Sequence, residues 1–123
     1  MAAYTLEILD HLAVLTLVSS EKRNLLTPAS AVEIASAVEG LLDNPAVKAL
    51  AVTGRAGAFC SGPDLSALQQ AAQGDGEELQ QIYSAFTSVA HSPLLTIALV
   101  NGPALGAGMN LAMACDIRLA SPD

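Results

Sequence analysis

Tryptophan is absent from this chain and aromatic residues make up only 3% of it. Its core must therefore be built from aliphatic side chains, with alanine and leucine carrying most of it. Basic residues are also scarce. Five Lys and Arg face twelve Asp and Glu, a formal charge of −7 that excludes nucleic acid or an anionic membrane as a general partner. Any phosphate contact must be a local basic spot drawn from Lys22, Arg23, Lys48, Arg55 and Arg118. The two cysteines, Cys60 and Cys115, sit in apolar surroundings without metal-ligand spacing, so two buried reduced thiols are expected rather than a disulfide or a metal site. No uninterrupted apolar run reaches the length of a membrane helix. The nearest, Leu94–Cys115, is broken by Asn101-Gly102-Pro103 and carries the polar Asn110. The N-terminal MAAYTLEILD lacks the basic region and apolar core of a signal peptide, which makes the cytoplasm the expected compartment. Internal repeats and low-complexity segments are missing too.

What is present is a chain of 123 residues that is 52% hydrophobic, enough for one domain burying roughly two-thirds of its unfolded surface. Tyr4–Leu9 and Leu12–Val18 read as a hairpin turning at Asp10-His11. Thr27 with Pro28 starts a helix whose apolar positions are Val32, Ala35, Val38 and Leu42, and Asn44-Pro45 ends it. Ala49–Thr53 is a short buried strand, followed by a turn at Gly54–Gly57, an irregular Phe59–Pro63 and a short helix near Leu65–Ala72. Asp75 with Glu78 predicts a capping box for a helix through Ala90, its face formed by Leu79, Ile82, Tyr83, Phe86 and Val89 or Ala90. The order β-β-α-β-α-α-β-α-β predicts an α/β fold with right-handed crossovers.

The most informative stretch is Leu94–Ala120, LLTIALVNGPALGAGMNLAMACDIRLA. The strand Thr96–Val100 breaks at Asn101-Gly102, and a loop of small residues then feeds a helix starting with Gly106 and Gly108. Small residues at a helix N-terminus leave backbone N–H groups open to an anion or a polarised carbonyl. Gly106-Ala107-Gly108-Met109-Asn110-Leu111 is not a dinucleotide fingerprint, because the third glycine is missing and the upstream loop is too long. With the earlier Gly54–Leu65, GRAGAFCSGPDL, the chain carries two signatures in order. One is Val-Thr-Gly before Ala-Phe-Cys-Ser-Gly-x-Asp-Leu; the other is Asn-Gly-x-Ala-Leu-Gly-x-Gly before Ala-Cys-Asp-Ile-Arg. An early turn, Glu21-Lys22-Arg23-Asn24, accompanies them. Together they resemble the enoyl-CoA hydratase/isomerase (crotonase) superfamily.

The resemblance implies a crotonase-like spiral of β-β-α units, incomplete in this chain. Residues 1–123 would be the N-terminal part of a single acyl-CoA-binding domain whose C-terminal part is absent. It implies an acyl-CoA thioester as substrate, no separate cofactor or metal, and assembly of the full-length protein into a homo-oligomer, a trimer or hexamer. Its shared device is an oxyanion hole of two backbone N–H donors that stabilises an enolate. Carried over, the donors fall at Pro63 and Ala107, framed by Phe59, Ser61, Gly62, Asp64 and Leu65 on one side and Gly106 and Gly108 on the other. Lys22, Arg23 and Leu25 would touch CoA. Proline has no N–H, so either Asp64 supplies the first donor, or the hole has one donor, or Gly62-Pro63 is simply a turn. The family's first catalytic glutamate maps to Asn110, which can hold water but cannot shuttle a proton. Asn110 is either a substrate-facing group or a helix residue bonded to a neighbouring turn.

Among the other candidates, Asp64 reads as a helix cap and Asp116 as a turn residue or a partner of Arg118. His11 and His91 have no recognisable partner. The expectation is an enoyl-CoA hydratase- or isomerase-like protein that is an enzyme when full length, this chain alone being inactive. The alternative is a non-catalytic acyl-CoA-binding or scaffold protein, or an inactive truncated fragment.

Overall fold

The computed structural model describes residues 4–18, 24, 26–55, 57–61 and 76–122. Strands β1 (Tyr4–Leu9) and β2 (Leu12–Leu17) pair antiparallel, with Tyr4 opposite Leu17 and Leu9 opposite Leu12. The tight turn needs a positive φ, and Asp10 takes it at 56°. His11, which the sequence left without a partner, has one: its Nδ1 lies 2.7 Å from the carbonyl of Ala46. Its own carbonyl accepts from the N–H groups of Lys48 and Ala49. The histidine thus fastens the hairpin to the next strand, and its role is structural.

Strands β3 (Ala49–Gly54), β4 (Leu95–Val100) and β5 (Ile117–Ala120) continue the sheet in parallel, in the order β1-β2-β3-β4-β5. Helices α1 (Pro28–Gly40), α2 (Glu77–Ala90) and α3 (Ala107–Ala114) occupy the three parallel connections. The short helix expected near Leu65–Ala72 lies outside the described residues. Beyond β3 and again beyond β4 the chain makes one further extended contact, and these two pieces meet as a parallel bridge between Cys60 and Ala104.

Helix α1 begins as the sequence indicates, with Pro28 at its start and Thr27 as N-cap. The structure adds Ser30, whose N–H donates to Thr27 Oγ1 at 3.1 Å while Thr27 N–H donates to Ser30 Oγ at 2.8 Å. Its buried face is Ala31, Ile34, Ala35 and Val38, continued by Leu41 in a short 3₁₀ turn, Leu41–Asp43. Val32 and Leu42, expected on that face, point to solvent. Ala35 and Val38 are buried as expected; the apolar positions of this helix surround much of its circumference, and packing against α2 selected Ala31, Ile34 and Leu41 in place of Val32 and Leu42. Helix α2 starts one residue later than the Asp75 capping box would place it. Its N-cap is Gly76, at φ 84° and with no side-chain capping bond. Ile82, Ala85 and Val89 form its buried face, and Tyr83 is exposed, its ring tilted 43° to that of Phe86 with centroids 5.8 Å apart.

Leu15, Leu17, Leu50, Val52 and Ala98 from the sheet join the α1 and α2 faces, Leu111 and Ala112 of α3 and its C-cap Cys115 in one core cluster. Strands β3 and β4 and helix α3 therefore share a contiguous core, as their apolar content indicated. Strand β5 is exposed along its whole length at the sheet's edge.

Candidate functional site

Two loops leave the C-terminal ends of adjacent parallel strands and run together. From β3 comes the segment 55–61, and from β4 the segment 101–106. Pro103 O accepts from the N–H of Phe59 at 3.1 Å and of Cys60 at 3.3 Å, and Leu105 N–H returns a bond to Cys60 O at 3.0 Å. Asn101 closes the base of the pair. Its Nδ2 donates to Gly54 O at 2.7 Å, and its Oδ1 accepts from Gly54 N at 3.3 Å and from Thr53 Oγ1 at 3.3 Å. The carboxamide spans the gap left where β3 and β4 stop pairing.

These bonds deliver the chain into α3. Gly106, the N-cap, has φ 55° and ψ −120°, a conformation that a side chain would make strained. Gly108 allows the closest approach in the site. A Cβ there would collide with the carbonyl oxygen and carbon of Cys60, so the segment from β3 lies directly on the helix start. In the first turn, Gly108 N–H donates to Leu105 O at 2.8 Å, while Met109 and Asn110 N–H reach Gly106 O at 3.0 and 3.3 Å. Ala107 is the first residue of the helix, a position whose N–H has no i−4 acceptor inside the helix itself. No acidic residue occupies that turn, so the positive end of the helix is not neutralised by its own side chains.

The other sequence candidates are placed as follows. Phe59 is fully buried in the core, and what it offers the site is its backbone. Ser61 is half-buried at the end of the described segment. Asn110 is exposed on α3, with no side-chain bond to a neighbouring turn among the described residues. Gly62, Pro63, Asp64 and Leu65, and the CoA-contact candidates Lys22, Arg23 and Leu25, lie outside the described residues. The Asp64 helix cap lies outside them as well.

Asp116 lies in the bend between α3 and β5, as one of its two expected roles had it, but its partner is Thr96 and not Arg118. Its Oδ2 accepts from Thr96 N at 3.0 Å, and its N–H donates to Thr96 Oγ1 at 2.9 Å. Arg118 donates instead to Cys115 O at 2.9 Å. Thr96 sits at the start of β4, where the backbone N–H on the β5 side would otherwise lack an acceptor. Asp116 thus holds β5 in register rather than doing chemistry. Both cysteines are buried and neither is in a disulfide, as expected. Burial pushes the Cys115 thiol up to about 11, with the neighbouring Asp116 charge adding to the effect, so it is no nucleophile at neutral pH. His91 is the exposed C-cap of α2.

Sequence reasoning passed over Asn24, which is 2% exposed with φ 62°. Its Nδ2 lies 3.1 Å from Arg55 O, 3.1 Å from Ala58 O and 3.2 Å from Phe59 O. Its carbonyl accepts from Cys60 Sγ at 3.3 Å. The signal available was its place in the early Glu21–Asn24 turn; its partners are backbone groups far along the chain. Among the described residues no group of three or more His, Cys, Asp or Glu could hold a metal ion. No helix among them is long and apolar enough to cross a membrane. A cavity of about 200 Å³ between the C-terminal ends of α1 and α2, lined by Glu39, Leu42 and His91 among others, shares no residue with the two loops.

Comparison with known proteins gives this geometry a context. The Mycobacterium tuberculosis protein named "Probable enoyl-CoA hydratase EchA14" is 42% identical over 119 residues, 95% of this chain and 46% of that protein. Ethylmalonyl-CoA decarboxylase of Gallus gallus is 34% identical over 113 residues, 90% of this chain and 38% of its own. The crystal structure of an enoyl-CoA hydratase from Bacillus halodurans superposes with a TM-score of 0.87 at 29% identity, over 97% of this chain and 50% of that one. The chain thus spans about half the length of the relatives it matches. The fold is crotonase-like. The family model for enoyl-CoA hydratase/isomerase matches residues 7–123, and the chain belongs to that family.

Proposed function

We propose that this chain supplies the thioester-polarising part of an acyl-CoA-binding protein. Ala107 N–H would donate to the thioester carbonyl and stabilise the enolate formed from it. The observation that carries the reading is the place of Ala107 as the first residue of an un-neutralised helix start, beside a loop brought into contact by Gly108. A preorganised donor of this kind costs no reorganisation when charge develops on the oxygen, and removing one such donor typically costs on the order of 10²–10³ in rate. The second donor of a two-donor hole would come from the 62–64 stretch, where Asp64 rather than Pro63 has an N–H to give. Lys22 and Arg23 are the basic residues proposed to meet the CoA phosphates, with Leu25 beside them. Names of relatives that act on enoyl-CoA or ethylmalonyl-CoA support a CoA thioester as the ligand.

Asn110 favours a second reading, in which the site binds and polarises a thioester without completing hydration. It stands exposed where a hydratase of this family would place a carboxylate, and an amide neither accepts nor releases a proton in this role.

The test is isotope-edited infrared spectroscopy of an acyl-CoA labelled at its thioester carbonyl. Bound to the protein, the carbonyl stretch should move to lower frequency. Ala107→Pro removes the N–H at the one helical position that tolerates proline, and should abolish that shift with the far-ultraviolet circular dichroism unchanged. A bound thioester with an unshifted carbonyl, or a shift surviving in Ala107→Pro, would overturn the reading.

A further inference from the structure

We infer that Asn24 is a positioning residue for the thioester site, acting through the segment 55–60; this inference rests on the function proposed above. The segment has two sides. One bonds to Pro103 and Leu105 and abuts Gly108 at the start of α3. On the other, Asn24 contacts the carbonyls of Arg55, Ala58 and Phe59 through Nδ2 and the Cys60 thiol through its own carbonyl. An amide has two hydrogens, so three carbonyls at 3.1–3.2 Å share them, one bond being bifurcated. Two consecutive carbonyls, 58 and 59, are thereby turned toward Asn24. Their peptide planes, with the N–H groups of 59 and 60 aimed at Pro103, are fixed in orientation.

Two further observations separate this from ordinary core filling. Asn24 takes φ 62°, a left-handed conformation in which asparagine is among the few tolerated side chains. Its Oδ1 is buried and has no hydrogen-bond partner among the described residues. A position selected for stability alone would not keep a buried acceptor unsatisfied. The donor half of the amide is what the fold uses, and it aims it at the loop that lies on the helix start.

An isosteric Asn24→Asp would turn carboxylate oxygens toward three carbonyl oxygens. An Asn24→Gly keeps the backbone conformation and deletes the donors. The probe is the same thioester labelled at its carbonyl, with affinity measured alongside by titration calorimetry. In Asn24→Gly the low-frequency carbonyl shift should be lost while the CoA thioester still binds, because glycine keeps the left-handed backbone and leaves the flanking Lys22, Arg23 and Leu25 side chains in place to meet CoA. Asn24→Asp should behave likewise near neutral pH and recover part of the shift on acidification, as the protonated carboxyl regains one O–H donor. If the unaltered protein shows the shift and Asn24→Gly retains it, or if both variants fail to fold, Asn24 is a stability residue and the inference falls while the function proposal stands. If the unaltered protein binds without a shift, it is the function proposal that fails.

Discussion

Replacing Gly108 by alanine should destabilise the protein, against the usual effect of that change in a helix. Alanine is favoured over glycine by about 1 kcal/mol in a helix interior. At Gly108, however, the new Cβ would overlap the carbonyl of Cys60, a backbone group that cannot rotate away. Moving Cys60 would stretch the 3.0 Å bond from Leu105 and the bonds that Phe59 and Cys60 give Pro103. Overpacking of this kind costs roughly 1–3 kcal/mol, and a weakened hydrogen bond adds about 0.5–1.5 kcal/mol. Set against the propensity gain, the net loss is on the order of 1–3 kcal/mol. Gly40 provides the control, since it ends α1 in a right-handed helical conformation with nothing within 4 Å of a built Cβ. Gly40→Ala should be neutral or stabilising by up to about 1 kcal/mol. Urea denaturation of the two variants, followed by circular dichroism, compares them directly. A Gly108→Ala protein as stable as Gly40→Ala would refute the claim that the 57–60 segment lies on the start of α3.

Three other outcomes are expected. The chain should not hydrate crotonyl-CoA at an enzyme-like rate of about 1 s⁻¹ or more, and Asn110→Glu should raise any residual rate, a general acid–base group being worth roughly 10²–10⁴; fast turnover by the unaltered chain would show the reading of Asn110 wrong. The raised Cys115 pKa means the folded state keeps its thiol proton more tightly than the unfolded chain, so this contribution to stability is complete below about 9 and declines as pH rises toward about 11. Denaturation midpoints measured across that range should fall, with a shallower slope in Cys115→Ala; equal slopes would contradict the assignment. The exposed edge of β5, with Ile117 and Leu119 facing solvent, should drive self-association at low micromolar concentration, reduced by Leu119→Lys. Sedimentation of a cooperatively unfolding monomer would contradict this.

Among the described residues the order of strands and helices was legible because its punctuation is chemical: Thr27-Pro28, Asn44-Pro45, Asn101-Gly102 and Gly106 each start or stop an element by a local mechanism. The start of α3 was legible for the same reason, down to Ala107. Helix faces were less so. In α1 both Ile34 and Val32 are apolar, and only the partner helix decides that Ile34 is buried and Val32 exposed. Long-range polar pairings were not legible at all. Asn24 finds backbone carbonyls more than thirty residues away. Asp116 finds Thr96, twenty residues back, rather than the nearby Arg118. A carbonyl acceptor carries no side-chain signature, so such bonds appear only once the strands are in place.

A crystal structure of the protein with a bound acyl-CoA thioester tests the central claim most directly. The expected result is the thioester carbonyl oxygen within about 2.7–3.1 Å of Ala107 N, against the face where the 57–61 segment meets α3. A thioester bound with its carbonyl away from Ala107 N would contradict it.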